Sequence, residues 1–453
     1  MKKKWGYAVF VALILLLCLI PSVGMLLAGQ SETGGNEVLA APPSLHSRDG
    51  SLNTGYLTDL TDYAEDNYFL RQRFVTAWSA LNQKVLGTSI ADNVLLGRDG
   101  WLYFADTLDD YTGADLMGSQ EITSAAHNLA LMAEYSRSQG AQFLFTIAPN
   151  KNTVYPEQMP NLPVFSRERN AGALAAALAE EGVPYLDLAV AFDAQEEILY
   201  FTQDSHWNSK GAALAADYIN TALHRDGRRY FYGGSFSPRA DHLSDLYAML
   251  YPAGAWLETD MKYDGELVFD YDAPIRGADN ITIMTTGQGH GSLLMFRDSF
   301  GNLLYPYMAD SFEHALFSRS AAYRLDMTAG READCVVIEL VERNLDYLLQ
   351  YVPVMPAPVR EAPVPEREMD GRPALDVSPS RDMEGYVLVK GALPESLPDF
   401  SSVLLRTEGS CYEAFQLQDR SFALYVPEDA LGGNLTILVT TDAGAAFSLP
   451  AAL

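Results

Sequence analysis

Two short stretches of this 453-residue chain hold side chains suited to nucleophilic chemistry. The first is Asp204-Ser205-His206-Trp207-Asn208. A carboxylate two residues from an imidazole can accept a hydrogen bond from one ring nitrogen and fix the tautomer, leaving the other nitrogen as a general base. The second is Met295-Phe296-Arg297-Asp298-Ser299-Phe300-Gly301, where an apolar run, SLLMF, breaks into a polar turn. A serine at that turn lies at a helix N-terminus, where backbone N–H groups point at any oxyanion formed beside it. Each stretch also has a plainer reading. Asp-x-His pairs are common in surface loops, Ser209 is the expected N-cap of the helix that follows, and Ser299 would equally cap a helix opening at Phe300. Asp298 competes with Ser299 as the reactive group, although an acid there is usually structural. Taken together, a serine after one strand and an Asp-His loop after another form the arrangement that a Ser-His-Asp acyl-transfer site requires, with Ser299 as nucleophile, His206 as base and Asp204 as orienting carboxylate.

Other residues near these stretches are weighed against structural roles. Asn150 and Lys151, just past a strand end, are candidates for a second oxyanion donor or a substrate contact, or they shape the loop before Tyr155-Pro156. Arg297 either binds substrate or forms an ion pair within the domain. Trp207 is placed to pack on the imidazole or on a sugar. Trp101 and Tyr103 read as core. His290 lies in the flexible run GQGHG, and His46, His127, His224, His242 and His314 have no partner pattern. The three cysteines, Cys18, Cys335 and Cys411, lack CxxC or Cys/His ligand spacing, so no metal or other cofactor is expected. Cys335 and Cys411 fall in different units, and a disulfide between them is not expected.

The elements that must position these residues follow from the apolar patterning. Met1-Lys-Lys-Lys4 precedes an uncharged apolar stretch of roughly 20 residues, the length needed to cross a bilayer as a helix. Lysines ahead of it orient the N-terminus to the cytoplasm, so the remainder is expected outside. Residues 1–30 therefore read as an uncleaved signal anchor, with a cleaved signal as the alternative. Residues 31–94 read as a stalk and a helical region, the latter a helix over about 56–86 with Leu57, Leu60, Trp78 and Leu81 on one face. Residues 95–351 alternate strands and helices: a hairpin in LLGRDGWLYF, then QFLFTIAP, VPYLDLAVAF, SLLMF, FEHALFS and CVVIELV as strand candidates. That alternation predicts an α/β fold, a mostly parallel sheet covered on both faces. Residues 352–383 are proline-rich and predict an extended linker. Residues 384–453 hold short β-rich runs spaced by turns and predict a small β-sandwich. The formal net charge of −28 excludes nucleic acid as a partner and suits a soluble exported surface.

Beyond these readings, the text LLGRDGWLYF, IAPNKNTVYPEQMP, DSHWNSKG, HLSDLYAML, FRDSFGNLLYPYMADSFEHALFSRS and VVIELVERNLD, in this order from about residue 55 to 350, resembles the SGNH-like alginate O-acetyltransferases of the AlgJ and AlgX type and the related DHHW proteins. In that family the Asp-x-His pair precedes the serine, as here. The resemblance implies an SGNH-hydrolase-like three-layer domain and an O-acetyltransferase acting on an extracytoplasmic polysaccharide. It further implies a membrane-bound O-acyltransferase partner that supplies acetyl groups. The same site with water as acceptor would be a carbohydrate O-acetylesterase, and a domain without turnover would be a polysaccharide-binding scaffold. A glycan-holding C-terminal module is also implied, although Tyr412, Phe415 and Tyr425 read as core. The GDS block of ordinary SGNH esterases has no counterpart near the start of the domain.

Overall fold

The computed structural model describes residues 2–28, 39–47, 50–365, 367–369 and 373–452. Helix α1 (Lys2–Ala28) contains the apolar span Trp5–Met25, of mean hydropathy 2.7, long and apolar enough to cross a membrane. The helical region that follows forms two helices instead of the single one expected, α2 (Tyr56–Asn67) and α3 (Arg71–Leu86). The break spans Tyr68 to Leu70: Tyr68 is extended (ψ 147°) and Leu70, ahead of α3, is left-handed (φ 64°). The expected apolar face stays exposed: Leu57, Trp78 and Leu81 are 76%, 57% and 52% accessible. The hairpin forms as expected, β1 (Val94–Leu96) pairing antiparallel with β2 (Leu102–Phe104) across the Gly97–Gly100 turn.

Next come α4 (Ser119–Ser138), β3 (Gln142–Ala148), α5 (Asn170–Glu180), β4 (Tyr185–Asp187) and α6 (Ser209–Ala222). An insertion follows, made of β5 (Phe236–His242), α7 (Asp245–Leu250) and β6 (Glu258–Tyr263), with β5 and β6 paired antiparallel. The chain then returns through β7 (Phe269–Tyr271), β8 (Thr282–Gly287), β9 (Ser292–Phe296), α8 (Gly301–Ser311), β10 (His314–Ser318) and β11 (Cys335–Val341). The main sheet has the order β4-β3-β11-β9-β10-β8-β7. Its first five strands are parallel, and β8 and β7 complete it antiparallel. β11 is buried at all seven residues, which explains its unbroken apolar run around Glu339. One face packs on α6 and α8 through Trp207, Leu214, Phe300 and Leu304; the other packs on α4 and α5 through Leu129, Phe143, Leu178 and Ile338. These are the three layers of the expected α/β domain.

The C-terminal unit is a two-sheet sandwich around Val389, Leu405, Leu424 and Val439. The proline-rich segment read as a linker is built into it: Val359–Arg360 and Asp376–Pro379 are edge strands of its two sheets. Proline suits those edges because it has no N–H to donate to a further strand. Tyr412, Phe415 and Tyr425 are buried core residues, and Cys335 and Cys411 are buried free thiols.

Candidate active site

The segment 199–208 is a loop closed by its own backbone. Phe201 N donates to His206 O at 3.2 Å, Asn208 N donates to Leu199 O at 2.9 Å, and Tyr200 and Trp207 form an isolated bridge. Asp204 and Ser205 lie at the tip. Asn208, one residue before the expected Ser209, caps α6 by accepting from Gly211 N at 2.9 Å. Gly211 has no room for a side chain: a Cβ there would sit 2.4 Å from Leu199 O. The DSHW loop is thus pinned between the strand region before it and the helix after it.

Ser299 comes from the turn between β9 and α8. Ser299 does not cap α8, whose N-cap position is Phe300 and has no side-chain cap, and Asp298 braces the turn instead. Its Oδ1 accepts from Phe300 N at 2.8 Å, and its Oδ2 accepts from Val341 N at 2.7 Å. Ser299 Oγ is left to lie 2.8 Å from His206 Nε2. His206 Nδ1 lies 2.7 Å from Asp204 Oδ1, which also accepts from His206 N at 2.9 Å. Ser299 is half-buried, the His206 side chain is 21% exposed and that of Asp204 is 4% exposed. The relay therefore has a wet end at the serine and a dry end at the carboxylate. The Ser299 amide N–H makes no hydrogen bond to another described residue, which leaves it available as an oxyanion donor.

Electrostatics follow from this layering. Burial raises the Asp204 carboxyl, but the hydrogen bonds and charges of His206 and His242 overcome it and hold the group well below the usual carboxylate range. Burial lowers His206, and the bond and charge of Asp204, with the charge of Asp245, more than offset this, so its affinity for a proton is raised.

The remaining sequence candidates lie elsewhere in the packing. Lys151 is buried, and its Nζ donates to the carbonyls of Phe201, Thr202 and Asp204 at 3.1, 3.0 and 2.6 Å. Burial lowers its pKa to about 8 although Asp204, Asp245 and Glu258 raise it. Arg297 is also committed internally, donating to Asn302 Oδ1 and Ala278 O, both at 2.6 Å. Trp207 neither faces a sugar nor lies on the imidazole. It is fully buried, stacks on Phe192 with centroids 5.7 Å apart and donates to Phe300 O at 3.1 Å. Phe300 is the ring beside His206, 4.8 Å between centroids. Asn150 is fully buried, its backbone N donates to Glu342 Oε2 at 2.9 Å, and its side-chain amide has no hydrogen-bond partner among the described residues.

Three groups at the site were not singled out in the sequence as site residues. His242 Nε2 lies 2.9 Å from Asp204 Oδ2, which also accepts from Asp245 N at 2.9 Å. The Asp245 carboxylate accepts from Ser205 N at 2.8 Å and Ser205 Oγ at 2.5 Å. Arg343 lies over the rings of Phe104 and Phe300, at 5.2 and 5.6 Å. His242 and Asp245 belong to the DHLSDLYAML run, 38 and 41 residues from Asp204, and no spacing rule links segments that far apart. Asp204, His206 and Asp245 bring ligand-type atoms within 4.8 Å of one another, and each of them also takes part in a hydrogen bond. A cavity of about 650 Å³ opens past β3 and β4 between Arg167, Tyr185 and Asp187, and Ser299 does not line it. A smaller cleft of about 250 Å³ adjoins Arg343 and is lined by Asp106, Asp109, Asp115 and Asp346.

Residues 94–236 match the family described as "SGNH hydrolase-like domain, acetyltransferase AlgX"; the match takes in Asp204 and His206 and ends before Ser299. The chain is 27% identical over 178 residues to the "Probable alginate O-acetylase AlgJ" of Pseudomonas syringae pv. tomato, which is 38% of this chain and 44% of that protein. It is 25% identical over 174 residues to the protein of the same description from Pseudomonas fluorescens, 37% and 42% of the two chains. Each match spans less than half of the relative's own length. A solved DHHW family protein from Eubacterium siraeum is 16% identical, with 58% of this chain and 99% of that one covered at a TM-score of 0.43. On the sequence matches, residues 94–236 of this chain are similar to the SGNH-like acetyltransferase domain of AlgX, and about two fifths of the chain is similar to the AlgJ proteins.

Proposed function

We propose that the chain is an O-acyltransferase that moves an acetyl group onto hydroxyls of a polysaccharide outside the cytoplasm, tethered by α1. The observation that carries this reading is the continuous relay Asp204–His206–Ser299, with contacts of 2.7 and 2.8 Å. His206 Nε2 takes the Ser299 Oγ proton as Oγ attacks the acyl carbonyl carbon. The Ser299 N–H faces the developing oxyanion, and the imidazolium returns its proton to the departing group as the acyl-serine forms. A sugar hydroxyl then gives its proton to His206 and attacks the acyl carbon, and Ser299 Oγ leaves with that proton. Asp204 keeps Nδ1 protonated and steadies the imidazolium in both halves. The choice of acetyl and of a polysaccharide acceptor rests on the matched family and on the alginate O-acetylases it contains. A membrane-bound acyltransferase that hands acetyl groups across the bilayer is the partner such a tethered enzyme needs.

Full-length protein in detergent should release nitrophenol from nitrophenyl acetate, and Ser299→Ala should reduce that rate at least about 10³-fold. A fluorophosphonate should label Ser299 in the wild type and nothing in the variant. Equal turnover in both proteins would remove Ser299 as nucleophile. No adduct and no turnover in folded wild type would favour a polysaccharide-binding scaffold. Transfer to an oligosaccharide acceptor that outpaces hydrolysis separates transferase from esterase.

A further inference from the structure

Asp204 holds two imidazoles, and only one of them touches Ser299. Oδ1 serves His206; Oδ2 serves His242 Nε2 and Asp245 N, each at 2.9 Å. To donate to a carboxylate, His242 must carry a proton on Nε2. Its ring has little freedom to turn away: it lies flat on buried Phe201, centroids 3.8 Å apart and planes 2° from parallel. Its backbone closes β5, opposite Glu258 of β6. The charged groups around the pair are accounted for. Glu258 binds Thr202, Gln203 and Ser244, Lys151 holds the carbonyls beneath the loop, and Asp241 pairs with Lys262. On the His206 side stand Asp245, 3.6 Å from Nδ1, and Arg343, whose charge opposes protonation.

We propose that His242 is a positioning residue for acyl transfer: it anchors the second oxygen of Asp204, keeps the His206 ring in line with Ser299 Oγ, and limits how strongly that carboxylate draws a proton onto His206. The physical reason is competition for one negative charge. A carboxylate whose far oxygen is hydrogen-bonded has less charge to offer its near partner. His206 already gains a proton more readily than a free imidazole because of Asp204 and Asp245. A further rise would keep the base protonated at neutral pH and idle. His242 acts against that rise, and it does so without contact to substrate.

The inference rests on the acyl-transfer reading, and its test separates the two. In the full-length protein, His242→Ala should lower kcat for nitrophenyl acetate about tenfold and move the acid limb of kcat/KM up by about half a pH unit. His242→Gln, whose amide can donate from a similar position, should recover most of kcat and return the limb toward the wild-type value. A residue that only stabilises the fold would leave the limb in place, so a coincident limb in folded His242→Ala overturns the proposal. Failure of Gln to recover either quantity, with an unchanged melting profile, also overturns it. NMR titration of the His206 ring in ¹³C-histidine-labelled protein reads the same upward shift without turnover. A shift there with no wild-type turnover would refute the acyl-transfer reading and leave the coupling standing. No shift would refute the coupling.

Discussion

A general base must be neutral to accept a proton, so the charge on His206 decides the pH range in which Ser299 can react. Burial works against the imidazolium, and Asp204 and Asp245 outweigh it. The base is then blocked to a higher pH than a free imidazole would be. The rate of nitrophenyl acetate hydrolysis should therefore rise with pH along a limb whose midpoint lies above about 6.5, the ordinary histidine value. Asp204→Asn keeps the shape and removes the charge. It should lower kcat by about 10³-fold or more, because the tautomer and the imidazolium lose their support, and it should move the limb to lower pH. A variant with wild-type kcat and an unmoved limb would remove Asp204 from the relay.

The DSHW loop is held in place by two contacts that come from other elements. In the first turn of a helix, Gly→Ala ordinarily stabilises by up to about 1 kcal/mol. At Gly211 the contact decides the sign, because a methyl group would meet the Leu199 carbonyl at 2.4 Å and Trp207 Cβ at 3.0 Å, and neither can yield without moving the loop. Gly211→Ala should cost about 2 kcal/mol or more in urea unfolding and lower kcat through displaced His206. Lys151 acts from below. Lys151→Met would leave three carbonyls that had shared one ammonium without that donor. A loss of roughly 2–4 kcal/mol is expected by the same measurement. An unchanged midpoint would mean that water replaces the ammonium at no cost. The sequence marked Lys151 and Gly211 as part of a resembling motif but could not say what they do, because both roles depend on which backbone lies opposite them.

At the scale of the molecule, α4 lies between the main sheet and the C-terminal sandwich. Its amide side chains bond backbone groups of two sandwich strands, Phe400–Arg406 and Phe415–Gln416. Gln120 pairs with both the N–H and the carbonyl of Phe400, and Asn128 does the same for Gln416. Beside them His127 bridges Glu181 and Glu413, and Arg360 bridges Glu134 and Glu413. Burial lowers His127, but its bonds to the two glutamates prevail and raise it to about 9. A group whose folded value lies above its unfolded one stabilises fully below about 6.5 and loses that contribution as pH rises toward 9, here about 3 kcal/mol. Thermal melts at stepped pH should show this fall over that window, and His127→Leu should flatten it. An equal slope in the variant would place the pH sensitivity elsewhere.

Local patterning determined much of this protein without help. The buried runs around Val337, Leu144 and Leu294 are too apolar and too long to be anything but covered strands, and their alternation with helices implies a parallel sheet. The order of Asp204, His206 and Ser299 was equally legible, and Ser299 sits where the apolar run of β9 stops; ahead of Asp204 the expected strand is instead a loop closed by the Tyr200–Trp207 bridge. The tertiary structure decided the rest. It assigned Lys151, Arg297 and Trp207 to internal packing, folded the proline-rich segment into the sandwich, and brought His242, Asp245 and Arg343 to the relay. The physical reason is the same in each case. Periodicity reports which face of an element is buried, whereas a polar side chain's role depends on partners tens of residues away that only the folded chain brings within hydrogen-bond reach.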